Sequence, residues 1–217
     1  MSSASGTSLA PFAISRDILH DVAHELRQPL SAIESIAYYL KLTLPREDGT
    51  VYDQLLRLQQ LVEQSDWILS NALHVTDALA VAPDAADLEE LLKEVISSRG
   101  WGSDRGFSLD LAGNLPQVQL DPVLGRALVG NLLTLFRQLV TESYPAVVRT
   151  LPPGEGVSGI LVLEMESAVP GYSSETMLGP GGALSLESAR KIIAAHGGSL
   201  EYTIDPAVGI RVRVTLP

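Results

Sequence analysis

The stretch that decides the reading is Ala23-His24-Glu25-Leu26-Arg27-Gln28-Pro29-Leu30. It lies early in a segment, Ile14 to about Leu44, whose apolar residues fall at Ile18, Val22, Leu26, Leu30, Ile33, Ile36, Ala37 and Leu40. That spacing is helical, and on a wheel turning about 100° per residue these positions fill one sector. His24 falls nearly opposite, on a polar face shared with His20, Asp21, Arg27 and Gln28. The histidine is therefore predicted to meet solvent rather than a core. Pro29 removes the N–H that would bond the carbonyl of Glu25, so a kink is predicted there. The apolar pattern nevertheless continues past it.

Working outward, Pro45-Arg46-Glu47-Asp48-Gly49 reads as a turn. A second helix is predicted from about Thr50 to Leu79, with Val51, Leu55, Leu58, Val62, Ser65, Leu69, Ala72, Thr76 and Leu79 spaced alternately by four and three. This is a heptad seam. Leu61, Ile68 and Val75 widen it. A hairpin of two such helices leaves an apolar face open. Either a second copy of the chain covers it, giving a dimeric four-helix bundle, or the C-terminal half does; the homodimer is the economical solution.

The rest of the chain alternates short elements. Residues 82–87 read as a linker, with Asp87 placed to cap a helix over 88–98. Strands are predicted at Phe107–Leu111 and Val118–Leu120. Asp121-Pro122 opens a mostly apolar, buried helix reaching about Thr141. Strands at Ala146–Leu151 and Ile160–Glu166 precede a Gly/Pro/Ser-rich loop over 167–182. A helix from about Leu184 to His196 is stopped by Gly197-Gly198, and a hairpin of Ser199–Ile204 and Ile210–Leu216 ends the chain. The fold class expected is α+β: a two-helix hairpin over 14–81, then an α/β sandwich over 88–217, with 1–13 a disordered lead-in.

Composition narrows the function. Of 217 residues 46% are hydrophobic, and 15 Lys+Arg stand against 26 Asp+Glu for a net charge of −11. An acidic surface does not suit nucleic acid or anionic membranes, so neither is expected as a partner. With no cysteine, disulfides, thiolate metal sites and thiol catalysis are excluded. No apolar run reaches the ~18–20 residues of a membrane span and no signal peptide is visible, so the cytosol is the expected location. No metal constellation is expected either.

His24-Glu25-Leu26-Arg27-Gln28-Pro29-Leu30 resembles the H-box of two-component sensor histidine kinases, and the resemblance extends over about residues 14–217. It implies that 14–81 is a dimerisation and histidine-phosphoacceptor hairpin and that 88–217 is an ATPase domain of histidine-kinase type. The second part departs from the family pattern. Asn131-Leu132-Leu133 matches the N-box, but the second Asn expected four residues on is Leu135, and a basic residue expected further on is Gln138. Glu164 or Glu166 stands where an adenine-reading Asp belongs, and both glycines of that box are gone. Gly181-Gly182-Ala183-Leu184-Ser185 carries Ala and Ser where phosphate-cradling glycines are usual, and the loop that would cover ATP is short.

The resemblance therefore implies a kept phosphoacceptor and a degenerate nucleotide site. His24 is the expected phosphoacceptor. Glu25 is placed to hydrogen-bond the ring or take its proton, and Gln28, one turn on, replaces the more usual Thr or Asn. Asn131, Glu164, Gly181 and Gly182 are the remaining candidates for cofactor binding. ATP and Mg²⁺ are expected only if that site works, since Mg²⁺ wants oxygen ligands and Leu135 has none. The function implied is a phosphorelay between His24 and the aspartate of a response-regulator receiver domain, by a free-standing core or equally by a fragment of a longer kinase. The alternatives are an active ATP-dependent kinase core and a non-catalytic module that binds a kinase or regulator.

Overall fold

The computed structural model describes residues 16–44, 49–98, 107–113, 115–137, 140, 144–152, 158–165, 180–205 and 209–217. The lead-in over 1–13, the turn residues 45–48, the polar segment 100–106, Gln138, Glu166 and nearly all of the loop 167–182 lie outside the described residues. The chain divides into two compact units, Met1–Leu73 and His74–Pro217.

The first unit is the helical hairpin. Helix α1 spans Arg16–Thr43 and runs through Pro29; α2 spans Gly49–Thr76. The residues buried between them are Ala23, Ala37, Leu55 and Val62, with Leu30, Leu58 and Leu69 half-buried. Arg27 then bridges the helices: its Nε donates to Asp66 Oδ1 at 2.8 Å and its Nη2 to Ser70 Oγ at 2.9 Å. The sequence pattern places Arg27 on the polar face with His24. Its long side chain instead reaches across the hairpin, because a residue at the edge of the polar sector also borders the interhelical groove. The hairpin covers only one edge of its apolar stripe. Val22, Leu26, Ile33 and Ile36 on α1 and Leu61 and Ile68 on α2 stay exposed in the single chain.

The second unit carries a five-stranded sheet, a two-stranded one and helices. Strand β1 (Asp84–Ala86) pairs antiparallel with β3 (Val118–Leu120). The stretch 82–87, expected as a plain linker, is thus partly a strand. The backbone groups of 84–86 find partners in β3, and Asp121 Oδ2 accepts the N–H of Ala82 at 3.0 Å. In the larger sheet the order is β2-β4-β5-β7-β6, with β2 (Phe107–Asp110), β4 (Ala146–Leu151), β5 (Gly159–Met165), β6 (Ser199–Asp205) and β7 (Gly209–Leu216). Among the described residues only the β2–β4 pair is parallel.

Helices α3 (Leu88–Ser98), α4 (Pro122–Arg137) and α5 (Pro180–Ala195) share one core with the sheet. Into it the strands send Ala146, Val148, Leu161, Leu163, Met165, Val212 and Val214, and α4 sends Leu128, Leu132, Leu135 and Phe136. The helix starts follow from caps. Asp87 Oδ1 accepts the N–H groups of Glu89 and Glu90, and Asp121 Oδ1 those of Val123 and Leu124. Helix α5 ends in a Schellman turn: Gly198 N–H bonds Ile193 O, and Gly197 N–H bonds Ala194 O. Gly197 has φ 76°, and a Cβ on Gly198 would lie 2.3 Å from the carbonyl oxygen of Thr215, so both glycines are required.

Candidate functional site

His24 sits on the exposed face of α1, as its place opposite the apolar stripe predicts. Its Nε2 lies 3.3 Å from the amide nitrogen of Gln28, one helical turn on. With the amide nitrogen as donor, Nε2 is the accepting ring nitrogen. A lone pair on a solvent-facing nitrogen is what a phosphoacceptor needs. Glu25 was expected to serve the ring. Among the described residues, the contact made by the His24 ring is with Gln28, not Glu25. Adjacent residues on a helix point about 100° apart, whereas residues four apart stand one above the other.

The candidates for the nucleotide site do not converge. Asn131 is 1% exposed, and its Nδ2 donates to Ser188 Oγ of α5 at 3.0 Å. Ser188 in turn lies 3.3 Å from Nδ1 of His74. Leu135, also 1% exposed, belongs to the core and turns no polar atom toward a metal. Glu164 lies on the other side of the sheet: its neighbours Leu163 and Met165 enter the helix-covered core, and a strand alternates faces. There its carboxylate is held by Arg149 of β4 and by Arg211 of β7, whose Nε donates at 2.6 Å. Arg149 also reaches Asp110 of β2 at 2.8 Å, completing an ion ladder across four strands. The alternation Leu161, Leu163, Met165 against Glu164 is the signal in the sequence that assigns Glu164 to this face. Gly181 and Gly182, expected in a loop, lie in the first turn of α5. Helix initiation at Pro180 moves the start four residues earlier than the apolar pattern places it.

Among the described residues, Asn131 donates to Ser188, Leu135 is aliphatic and Glu164 is held between Arg149 and Arg211; Glu166 and residues 167–179 lie outside them. Among the described residues no cluster of three or more His, Asp or Glu is placed to hold a metal ion. None of their helices is long and apolar enough to cross a membrane.

The other histidine of the second unit is structural. His196 Nδ1 lies 2.7 Å from Ile192 O, and its Nε2 accepts the N–H of Asp121 at 2.9 Å, which fixes the ring as the neutral Nδ1–H form. Asp121 is the pivot of this corner. Its carboxyl is held below the ordinary carboxylate range by the N–H groups of Leu124 and Ala82 first, then by that of Val123.

With a hairpin that carries an exposed H-box histidine, followed by an α/β domain, the chain has the architecture of a histidine-kinase-like core. Over 207 residues it is 25% identical to the sensor histidine kinase ZraS of Escherichia coli O157:H7, covering 90% of this chain and 44% of ZraS. Over 214 residues it is 25% identical to the methanogenesis regulatory histidine kinase FilI of Methanothrix harundinacea, covering 92% of this chain and 24% of FilI. The chain thus spans less than half the length of these relatives. Among solved structures, full-length ShkA in complex with AMPPNP superposes with a TM-score of 0.64 at 18% identity, over 94% of this chain and 46% of ShkA. The Acinetobacter baumannii histidine kinase AdeS gives 0.53 at 17% identity, over 89% of this chain and 96% of AdeS. No protein-family model matches the chain. The relatives support a place in two-component signalling.

Proposed function

We propose that this chain is a phosphorelay protein that passes a phosphoryl group between His24 and the aspartate of a response-regulator receiver domain. The observation that carries the reading is the contrast between its two sites. His24 stands exposed on α1 with Gln28 one turn on, whereas Asn131, Leu135 and Glu164 are each held in packing or pairing elsewhere. In the transfer, the Nε2 lone pair forms the N–P bond as the P–O bond of the aspartyl phosphate breaks and its electron pair stays on the carboxylate. The Nδ1 proton leaves to water. Gln28 has to release Nε2 first, after which its amide is placed to donate to a phosphoryl oxygen. A second copy of the chain covers Val22, Leu26, Ile33, Ile36, Leu61 and Ile68, completing a homodimeric bundle.

A second reading is an ATP-dependent kinase core. It is favoured by Gly181, where an added Cβ would meet nothing within 4 Å among the described residues, so their packing does not call for glycine. A phosphate approaching a helix N-terminus would. The two readings separate on the donor. Under the relay, a ³²P-labelled receiver domain labels the chain, ATP with Mg²⁺ does not, and His24→Gln abolishes the label. Labelling from ATP establishes the second reading. Labelling from neither donor sinks both and leaves a non-catalytic binding module.

A further inference from the structure

Asn71 of α2 is 1% exposed, and its Nδ2 has no hydrogen-bond partner among the described residues. The hairpin register places it. Arg27 of α1 reaches both Asp66 and Ser70 of the antiparallel α2, so Asn71, one residue beyond Ser70, is level with the turn of α1 that carries Ala23 and His24. The hairpin interior is therefore not uniform. Further along, it is closed by Leu30, Ala37, Leu55 and Val62. Beside His24 it holds Ala23 and the half-buried Leu69 together with the Arg27–Asp66–Ser70 bridge and an unsatisfied amide.

An unmade hydrogen bond of this kind carries the desolvation cost of the donor with no return. Opening the layer to water recovers that cost. An apolar layer loses free energy on opening, since it exposes what it had buried. We infer that this polar layer is a built-in weak point, and that its local opening governs how freely the His24 turn reorients toward a phosphoryl donor or acceptor. The second half of the inference rests on the relay reading of His24; the first does not.

Native-state hydrogen exchange on the full chain tests the first half. Amides of 21–27 and 69–73 are expected to exchange about ten- to a hundred-fold faster than those around Ala37 and Val62, the span set by one unsatisfied buried donor. Asn71→Leu, close in volume, is expected to remove most of that difference. Fraying of the helix ends would also give fast exchange, but Asn71→Leu would then leave it unchanged, and that result overturns the inference. Asn71→Ala controls for volume: it removes the amide without filling the space, so slowed exchange there too ties the effect to the amide. Transfer from a labelled receiver domain tests the second half. Asn71→Leu is expected to slow it about ten-fold, and unchanged transfer alongside slowed exchange overturns the coupling. If the unaltered chain takes no label at all, the relay reading fails while the exchange result still decides the weak point.

Discussion

The amide nitrogen of Gln28 stands 3.3 Å from Nε2 of His24, one helical turn before it. A free imidazole interconverts its tautomers; here a donor-only group at Nε2 favours the form protonated at Nδ1. Gln28→Ala is expected to release that preference. Long-range ¹H–¹⁵N spectra at neutral pH or above read it directly. His24 should show an unprotonated Nε2 before the substitution and averaged tautomers after it. An unprotonated Nδ1 in the unaltered chain would refute the assignment.

Asp121 makes the second unit sensitive to acid. Its carboxyl is held below its ordinary value chiefly by the N–H of Leu124, then by that of Ala82. A group with a depressed folded pKa adds stability that is present above its unfolded value, about 3.9, and is lost as pH falls through the folded value. Urea unfolding of Asp121→Asn against the unaltered chain should show a gap at pH 6 that closes below about pH 4. Asp121→Ala should cost about 1–2 kcal/mol at pH 6 through loss of the cap. A gap that stays constant with pH would count against the carboxylate.

Glu164 separates a structural carboxylate from an adenine-binding one. Its side chain is 13% exposed between Arg149 and Arg211. Glu164→Gln removes the charge both guanidiniums share and is expected to cost about 1–3 kcal/mol by thermal unfolding. Any nucleotide affinity found by calorimetry should not change. A large loss of affinity with unaltered stability would return Glu164 to a binding site.

Leu135 tests whether the missing N-box ligand can be restored by one substitution. The side chain is 1% exposed in the shared core. Leu135→Asn puts an amide where no partner is in place and is expected to destabilise the domain by about 2–4 kcal/mol without creating a Mg²⁺-dependent nucleotide site. Denaturant melts and calorimetry with and without Mg²⁺ measure both effects.

Much of this molecule follows from local pattern alone. Periods of 3.6 and 3.5 residues declare α1 and α2, and the period that places Val22, Leu26 and Ile33 on one side necessarily turns His24 to the other. Asp87, Asp121 and Gly197-Gly198 mark helix ends, because caps act within a single turn. The strands β4 and β5 are legible from their residue types, and the alternation around Glu164 contains its orientation. The start of α5 at Pro180 and the strand at Asp84–Ala86 are not legible, since β1 exists only because β3 is there to take its hydrogen bonds.

The sequence by itself determined that a solvent-facing histidine stands one turn before Gln28 on a long helix, because helical periodicity is a property of neighbours in the chain. Tertiary structure alone decided what the remaining candidates do. Ser188, 57 residues from Asn131, takes its amide. Arg149 and Arg211, on strands either side of β5, take the carboxylate of Glu164. Arg27 spans to Asp66 and Ser70, and Asn71 is buried beside them with a donor unpaired. A buried polar group has to find its partner wherever the fold brings one, and loop closure sets no preference strong enough for that partner to be read along the chain.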